Sequence, residues 1–197
     1  MSKRINRRTF VKTAAAGSVA AAALPLLGTS IGLAREGDDD KGASRIFIFV
    51  SFSQAPAQTA SPKVPRIGMQ GAGTFWPTAG RVNGGGSYTL FDNAAPTPKP
   101  LVATGRWKAR ELVSYTTMGL ASYGKIQPGI LIVTADVEGI GKGLTMTVVC
   151  NVGPAGLMTG EEEGWDLDGT PYGKFEPLSP VVGISHLSIE GFRVGGD

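Results

Sequence analysis

Ser44-Arg-Ile-Phe-Ile-Phe-Val-Ser-Phe-Ser53 is the stretch that decides the fold. Successive side chains of a strand point to opposite faces, and here both alternating sets are apolar, Ile46, Ile48, Val50 and Phe52 on one and Phe47 and Phe49 on the other. A central strand covered on both faces is expected. Residues 54–65 read as a Pro/Ala/Ser/Thr loop, and further β-rich runs follow at 67–76, 81–91, 105–117, 129–138, 144–152 and 181–194. Gly and Pro separate them, and no stretch shows a 3.6-residue apolar period. With a short run near 172–175, the chain has seven to eight strands and no helix longer than a turn or two. Glycine supplies 26 of the 163 residues after position 34, so the chain turns often. The fold class expected is all-β, a single antiparallel barrel with a two-sheet sandwich as the alternative. Runs of ten residues or more, bent at glycines, favour closure into a barrel. Gly84-Gly85-Gly86 and Gly139-Ile140-Gly141-Lys142-Gly143 read as turns or bends where a positive φ or a close backbone approach is needed, and Gly71-Ala72-Gly73 as a turn.

Upstream of this domain, which spans 45–197, the chain changes character. Its formal charge of +3 and pI near 9.1 invite a nucleic-acid reading. Lys3, Arg4, Arg7, Arg8 and Lys12 lie within the first 34 residues, which contain no acid, leaving 14 basic and 16 acidic groups on the rest. The body is therefore slightly acidic, and a nucleic-acid partner is not expected. Residues 1–34 run from this basic start through an Ala-rich apolar stretch to Gly32-Leu33-Ala34, the layout of an export signal cleaved after Ala34. Residues 35–44 form a polar leader containing Glu36, Asp38, Asp39 and Asp40. An uncleaved amino-terminal anchor is the alternative, weakened by Pro25, Gly28, Thr29 and Ser30. Contact with the membrane is expected only through this segment.

Within it, Asn6-Arg7-Arg8-Thr9-Phe10-Val11-Lys12 resembles the twin-arginine motif, with Arg7, Arg8, Phe10 and Lys12 in register. The resemblance implies the twin-arginine export machinery as a partner, transport of an already folded chain, and a periplasmic or secreted destination.

Candidate chemistry in the body is sparse. Cys150 shares a face with Leu144, Met146, Val148 and Val152, which reads as core rather than as a nucleophile. A lone cysteine also excludes an intramolecular disulfide. His186 is the only histidine and shares a strand face with Ser188 and Glu190; the two ends of that face are about 13 Å apart, too far for a direct dyad. Arg106, Lys108 and Arg110 form the densest basic strip, opposite which Asp136 and Glu138 are expected as cross-strand partners. The Asp166-x-Asp168-Gly169 pattern suggests a calcium loop, but Gly164 and Phe175 fall where its first and last ligands belong. No metal site and no cofactor are assigned. Trp76 and Trp165, read as lying at a turn and beside an acidic loop, are candidates for stacking on a sugar or another flat ligand, whereas Trp107 reads as core.

The segments Gly71-Ala-Gly-Thr-Phe75, Gly84-Gly-Gly-Ser-Tyr88, Thr104-Gly-Arg-Trp-Lys108 and Cys150-Asn-Val-Gly-Pro154 look like those of exported proteins of unassigned activity. In length and strand pattern the body is similar to small calycin-like or dirigent-like barrels. That similarity implies a barrel that binds an apolar ligand or guides a cyclisation, and it carries no site residue with it. The expected function is a non-catalytic extracytoplasmic ligand-binding or cell-surface module for a small apolar or carbohydrate ligand. The alternative is an isomerase- or cyclase-type barrel enzyme with a polar cavity near His186, Glu190 and the Arg106 strand.

Replacing Arg7 and Arg8 together by lysine should leave the protein in the cytoplasm, as read by cell fractionation; unchanged export would remove the twin-arginine reading.

Overall fold

The computed structural model describes residues 44–118, 126–158 and 160–187. The signal with Arg7, Arg8, Phe10, Lys12 and Ala34, nearly all of the leader, and Glu190 lie outside the described residues.

Nine strands form one antiparallel sheet: β1 (Arg45–Gln54), β2 (Pro65–Trp76), β3 (Arg81–Asp92), β4 (Leu101–Thr117), β5 (Gly129–Val137), β6 (Gly141–Cys150), β7 (Gly164–Asp168), β8 (Glu176–Pro177) and β9 (Gly183–Leu187). Among the described residues a single short helix, α1 (Gly153–Leu157), follows β6. Strands β1 to β7 are consecutive neighbours, and β8 and β9 share the second edge of β1. Around the wall there are thus eight strand positions, and the sheet curls into a nearly closed barrel. Bulges let the long β4 follow that curve, with register shifts against β5 at Ala109/Glu111 and Leu112/Ser114.

Closure is made differently at its two ends. At one end Leu167 exchanges backbone hydrogen bonds with Phe175 (3.1 and 2.9 Å), and the next residues pair as β8 with β1. Elsewhere along the seam side chains replace the ladder. Glu163 accepts from the Ser185 amide (2.9 Å) through Oε1 and from the Asn151 amide (2.6 Å) through Oε2. The Ser185 hydroxyl lies between Glu163 and the Val149 carbonyl. The Ser53 hydroxyl donates to the Trp165 carbonyl (2.7 Å), and Trp165 Nε1 donates to the Ser51 carbonyl (3.3 Å). These bonds satisfy polar groups in the gap between β1, β9 and β7, where unpaired ones would cost about 1–3 kcal/mol each.

The lumen is filled by side chains. Phe47 and Phe49, Ile67 and Met69, Trp107, Leu131 and Val133, Met146 and Val148, Trp165 and Leu167 point inward from successive strands. Cys150 is buried among them, as its alternation required, and burial pushes its thiol pKa up. Rings run across the interior: Phe49 lies 5.5 Å from Trp107 and 6.2 Å from Trp165, and Phe47 is 6.4 Å from both Phe75 and Trp107.

Glycine makes room for these rings. Phe47 faces Gly73, Phe49 faces Gly71 and Trp107 faces Gly86 across the ladder. A Cβ on Gly73 would come within 2.6 Å of the Phe47 ring, and one on Gly71 would overlap Trp107. Gly71-Ala72-Gly73 is therefore a mid-strand close approach and not a turn, and Gly84-Gly85-Gly86 takes the close-approach alternative of its expectation, inside β3. A turn residue in the expected sense is Gly139, at φ 71° beside the β5–β6 connection. The region 161–169 also departs from its expectation as a solvated loop, because its second half is β7 and Trp165 is 0% exposed.

Gly71→Ala should destabilise the fold by roughly 1–3 kcal/mol through overpacking. Shortening the opposing ring with Trp107→Phe should relieve part of that cost, giving favourable coupling of about 1 kcal/mol in a urea-unfolding double-mutant cycle. Strictly additive losses would contradict the packing described.

Candidate functional site

With the lumen packed, the accessible concavity lies on the outer face of the wall. It is an open groove of about 1140 Å³ crossing β9, β1, β2, β3 and β4 to the end of β5. Two cross-strand rows define it. One runs His186, Ile48, Ala72, Gly85, Lys108, Asp136, and its neighbour runs Ile184, Val50, Gln70, Ser87, Arg106. The middle of the groove is low because Ala72 and Gly85 carry almost no side chain, and larger residues stand on either side.

One end is apolar. Ile48, Val50 and Ile184 are 46%, 48% and 54% exposed, and they adjoin one another through the β1–β9 register. This corrects the expectation that β1 is covered on both faces. It is central in the sheet, but the described residues include no layer over its outer face.

The other end is charged. Arg106, Lys108 and Arg110 all line the groove, with Lys142, Asp136 and Glu138. The acids expected opposite the basic strip are there, yet they are partly occupied by other groups. Asp136 accepts from Arg110 Nε (2.7 Å), with Nη2 at 2.5 Å, and from the Gly143 amide (3.0 Å). The Gly143 amide, and next the Arg110 side chain, hold the Asp136 carboxyl below the usual carboxylate range. Glu138 is bonded to the backbone of Arg106, its Oε2 accepting the Arg106 amide at 3.1 Å while its own amide donates to the Arg106 carbonyl at 2.9 Å. Among the described residues, the Arg106 guanidinium and the Lys108 ammonium enter no ion pair. The lining bears four cations against two carboxylates, and Lys142, like Arg106 and Lys108, enters no ion pair among the described residues.

The remaining candidates are not gathered here. Trp165 is in the core and presents no ring surface to solvent. Trp76, at the end of β2, is half-buried and has the Arg81 guanidinium carbon 5.0 Å over its ring. His186 lines the groove on the outer face, as alternation predicts, but at the wall opposite the basic strip. Four strand spacings separate it from Lys108, on the order of 19 Å along the sheet. Asp166 is engaged by Lys174 (2.9 Å), and the described residues contain no cluster suited to a metal ion. Sequence reasoning missed Ile48, Val50 and Ile184 as site residues; their apolar outer-face register was visible, but it reads as burial until the covering layer is shown to be missing.

Searches against protein-family models, curated proteins and solved structures found no match.

Because its folded-state pKa is depressed, Asp136 contributes stability that is present above the unfolded value near 3.9 and is lost as pH falls through the folded value. A carboxyl NMR titration should place Asp136 below the ordinary aspartate range, with Arg110→Ala restoring only part of the shift because the Gly143 amide remains. Full restoration would show that Arg110 alone is responsible.

Proposed function

We propose that the protein is an exported, non-catalytic ligand-binding module that holds an elongated small molecule in the groove on its outer wall. The exposed row of Ile48, Val50 and Ile184 beside the unpaired Arg106 and Lys108 carries this reading. A contiguous apolar patch in a concavity marks a binding surface more often than a scattered exposed residue does. Its volume is of the order of ligand clefts, slightly above the usual upper figure of about 1,000 Å³, as suits an open groove. Export through the twin-arginine route, on the Arg7-Arg8 motif, would place this face in an extracytoplasmic compartment.

The groove favours a ligand with an apolar body over a carbohydrate. Sugar stacking needs accessible ring faces, but Trp165 is buried and Trp76 is covered by Arg81. An isomerase or cyclase would need its acid or base within hydrogen-bond reach of the group that stabilises the reacting charge. His186 and the basic strip stand at opposite walls, which fits two ends of a bound molecule better than one reacting centre.

Ala72→Trp would fill the low middle of the groove from an exposed position. Native mass spectrometry of protein recovered after export should show a small-molecule adduct on the wild type and its loss in Ala72→Trp, with equal urea midpoints. An adduct that survives the substitution, or wild-type protein that carries none and takes up none from an extracytoplasmic metabolite extract, would refute groove binding.

A further inference from the structure

We infer that the ligand class is a free, single-chain amphiphilic anion whose tail lies across β9 and β1 and whose carboxylate, sulfonate or phosphate head meets Arg106 and Lys108. This rests on the ligand-binding reading above and adds the chemistry of the occupant.

The argument is one of register. Val50 and Arg106 lie in the same cross-strand row, as do Ile48 and Lys108, so the apolar and cationic ends are separated along one straight line over the sheet. Three strand spacings, about 14 Å, divide β1 from β4, and a fourth reaches β9. Between Ile48 and Lys108 the row holds Ala72 and Gly85, over which a flexible chain can pass without meeting a bulky side chain, while the row from Val50 to Arg106 holds Gln70 hydrogen-bonded to Ser87 (3.1 Å), which flanks that path. A compact anion such as inorganic phosphate would use only the charged end and leave the isoleucines wet. A neutral hydrocarbon would leave the cations without partners. An amphiphile with one charged end satisfies both, and the unpaired cations set the sign of its head.

The shape selects a free molecule over a bilayer. A membrane-docking surface projects its apolar side chains beyond a surrounding cationic rim so that they can enter the acyl region. Here the apolar residues line a concavity, and the cations lie to one side of them. The tail would lie flat along the wall, unlike the acyl chains of a lipid layer.

The test uses the full chain, with Ala72→Trp as the reference for groove occupancy, titrated below their micellar concentrations with alkyl sulfonates of increasing length. Alkyl maltosides and alkyltrimethylammonium salts of matched tail are the comparison probes, together with vesicles of anionic phospholipid. The sulfonates should bind the wild type and not Ala72→Trp. Each added methylene should tighten binding about fourfold, the equivalent of ~0.8 kcal/mol per buried methylene, until the tail overruns Ile184. Arg106→Gln with Lys108→Gln should weaken the sulfonate about fivefold or more and flatten its salt dependence, while leaving the maltoside unchanged. Ile48→Ser with Ile184→Ser should weaken both. Circular dichroism and urea midpoints report that these outer-face variants remain folded.

Maltoside binding equal to sulfonate binding and indifferent to Arg106 and Lys108 would overturn the anionic class while leaving groove binding in place. Binding to vesicles without binding of monomeric amphiphile would overturn it in favour of a membrane face. If no probe distinguishes wild type from Ala72→Trp and no adduct is found on the exported protein, the amphiphile and the groove reading fall together.

Discussion

Inner-face aromatic rings are set opposite glycines on the next strand, and the barrel depends on this pairing. Phe47, Phe49, Tyr88 and Trp107 face Gly73, Gly71, Gly105 and Gly86 respectively. A strand of ordinary residues could not bring its backbone against a ring in this way, because the first side-chain carbon occupies the contact distance. Glycine weakens a strand through lost packing and backbone entropy. The rings supply the missing packing, and dispersion and area burial of large aromatic side chains offset the entropic loss. The lumen is then filled by large rings from β1, β4 and β7 packed together with aliphatics such as Ile67, Leu131 and Met146. The Trp107 indole N–H donates to the Gln70 carbonyl at 3.0 Å, so even the polar edge of that ring is satisfied inside the wall.

That packing decides where function can reside. A barrel of eight positions has room for side chains or for one small ligand, and here the lumen is taken by rings that also reach the closing seam at Trp165. The seam itself is held by Glu163, Ser185 and Ser53 through bonds to backbone, and by the Trp165 indole N–H donating to the Ser51 carbonyl. The residues that alternate with these inward-facing glycines are small as well, so the outer surface above them is low. Gly85 and Ala72 form the bottom of the groove because β2 and β3 are built to carry almost nothing there. Inner packing and outer concavity are thus two consequences of one stretch of glycine-rich hairpin.

The strands of this hairpin and most others are legible from alternation and turn residues. Runs at 67–76, 81–91, 129–138 and 144–152 correspond to β2, β3, β5 and β6 within a few residues, and Trp107 and Cys150 fall in the core as their faces require. The misreadings share a cause, which is that local composition was read without its cross-strand partner. Glu161-Glu162-Glu163 and Asp166-x-Asp168 resemble a solvated loop, yet Glu163 closes the seam and Trp165 between them is core. Three glycines in a row suit a turn or a close approach, and their partners decide it: a Cβ on Gly84 would meet the Phe47 ring, one on Gly85 the Trp107 carbonyl and one on Gly86 the Gln70 carbonyl. Arg106, Lys108, Arg110 and His186 were legible as groove residues from type and period alone, because exposed charge on an alternating strand must point outward. Their arrangement into two separate ends was not, because it depends on β9 pairing with β1 rather than with its neighbours in sequence.

β1 carries the last step. Ile48 and Val50 on a strand that is hydrogen-bonded along both edges are unexpected at about half exposure, since parallel or central strands with two apolar faces ordinarily lie beneath helices. The described chain contains one five-residue helix, on the far side of β6 in sequence, and nothing that covers β1. Apolar side chains retained on such a surface cost solubility and invite association. A barrel that needed only its core could have carried threonine or lysine at these positions, as the outer faces of β4 and β6 do at Lys108, Thr145 and Thr147. Exposed apolar side chains also stand on β4 at Leu101, Val102 and Val113, but those that line the groove are Ile48, Val50 and Ile184, at the end away from the basic strip. A boundary between apolar and cationic side chains along one cross-strand line is what a two-ended ligand would require, and core packing gives no reason for it.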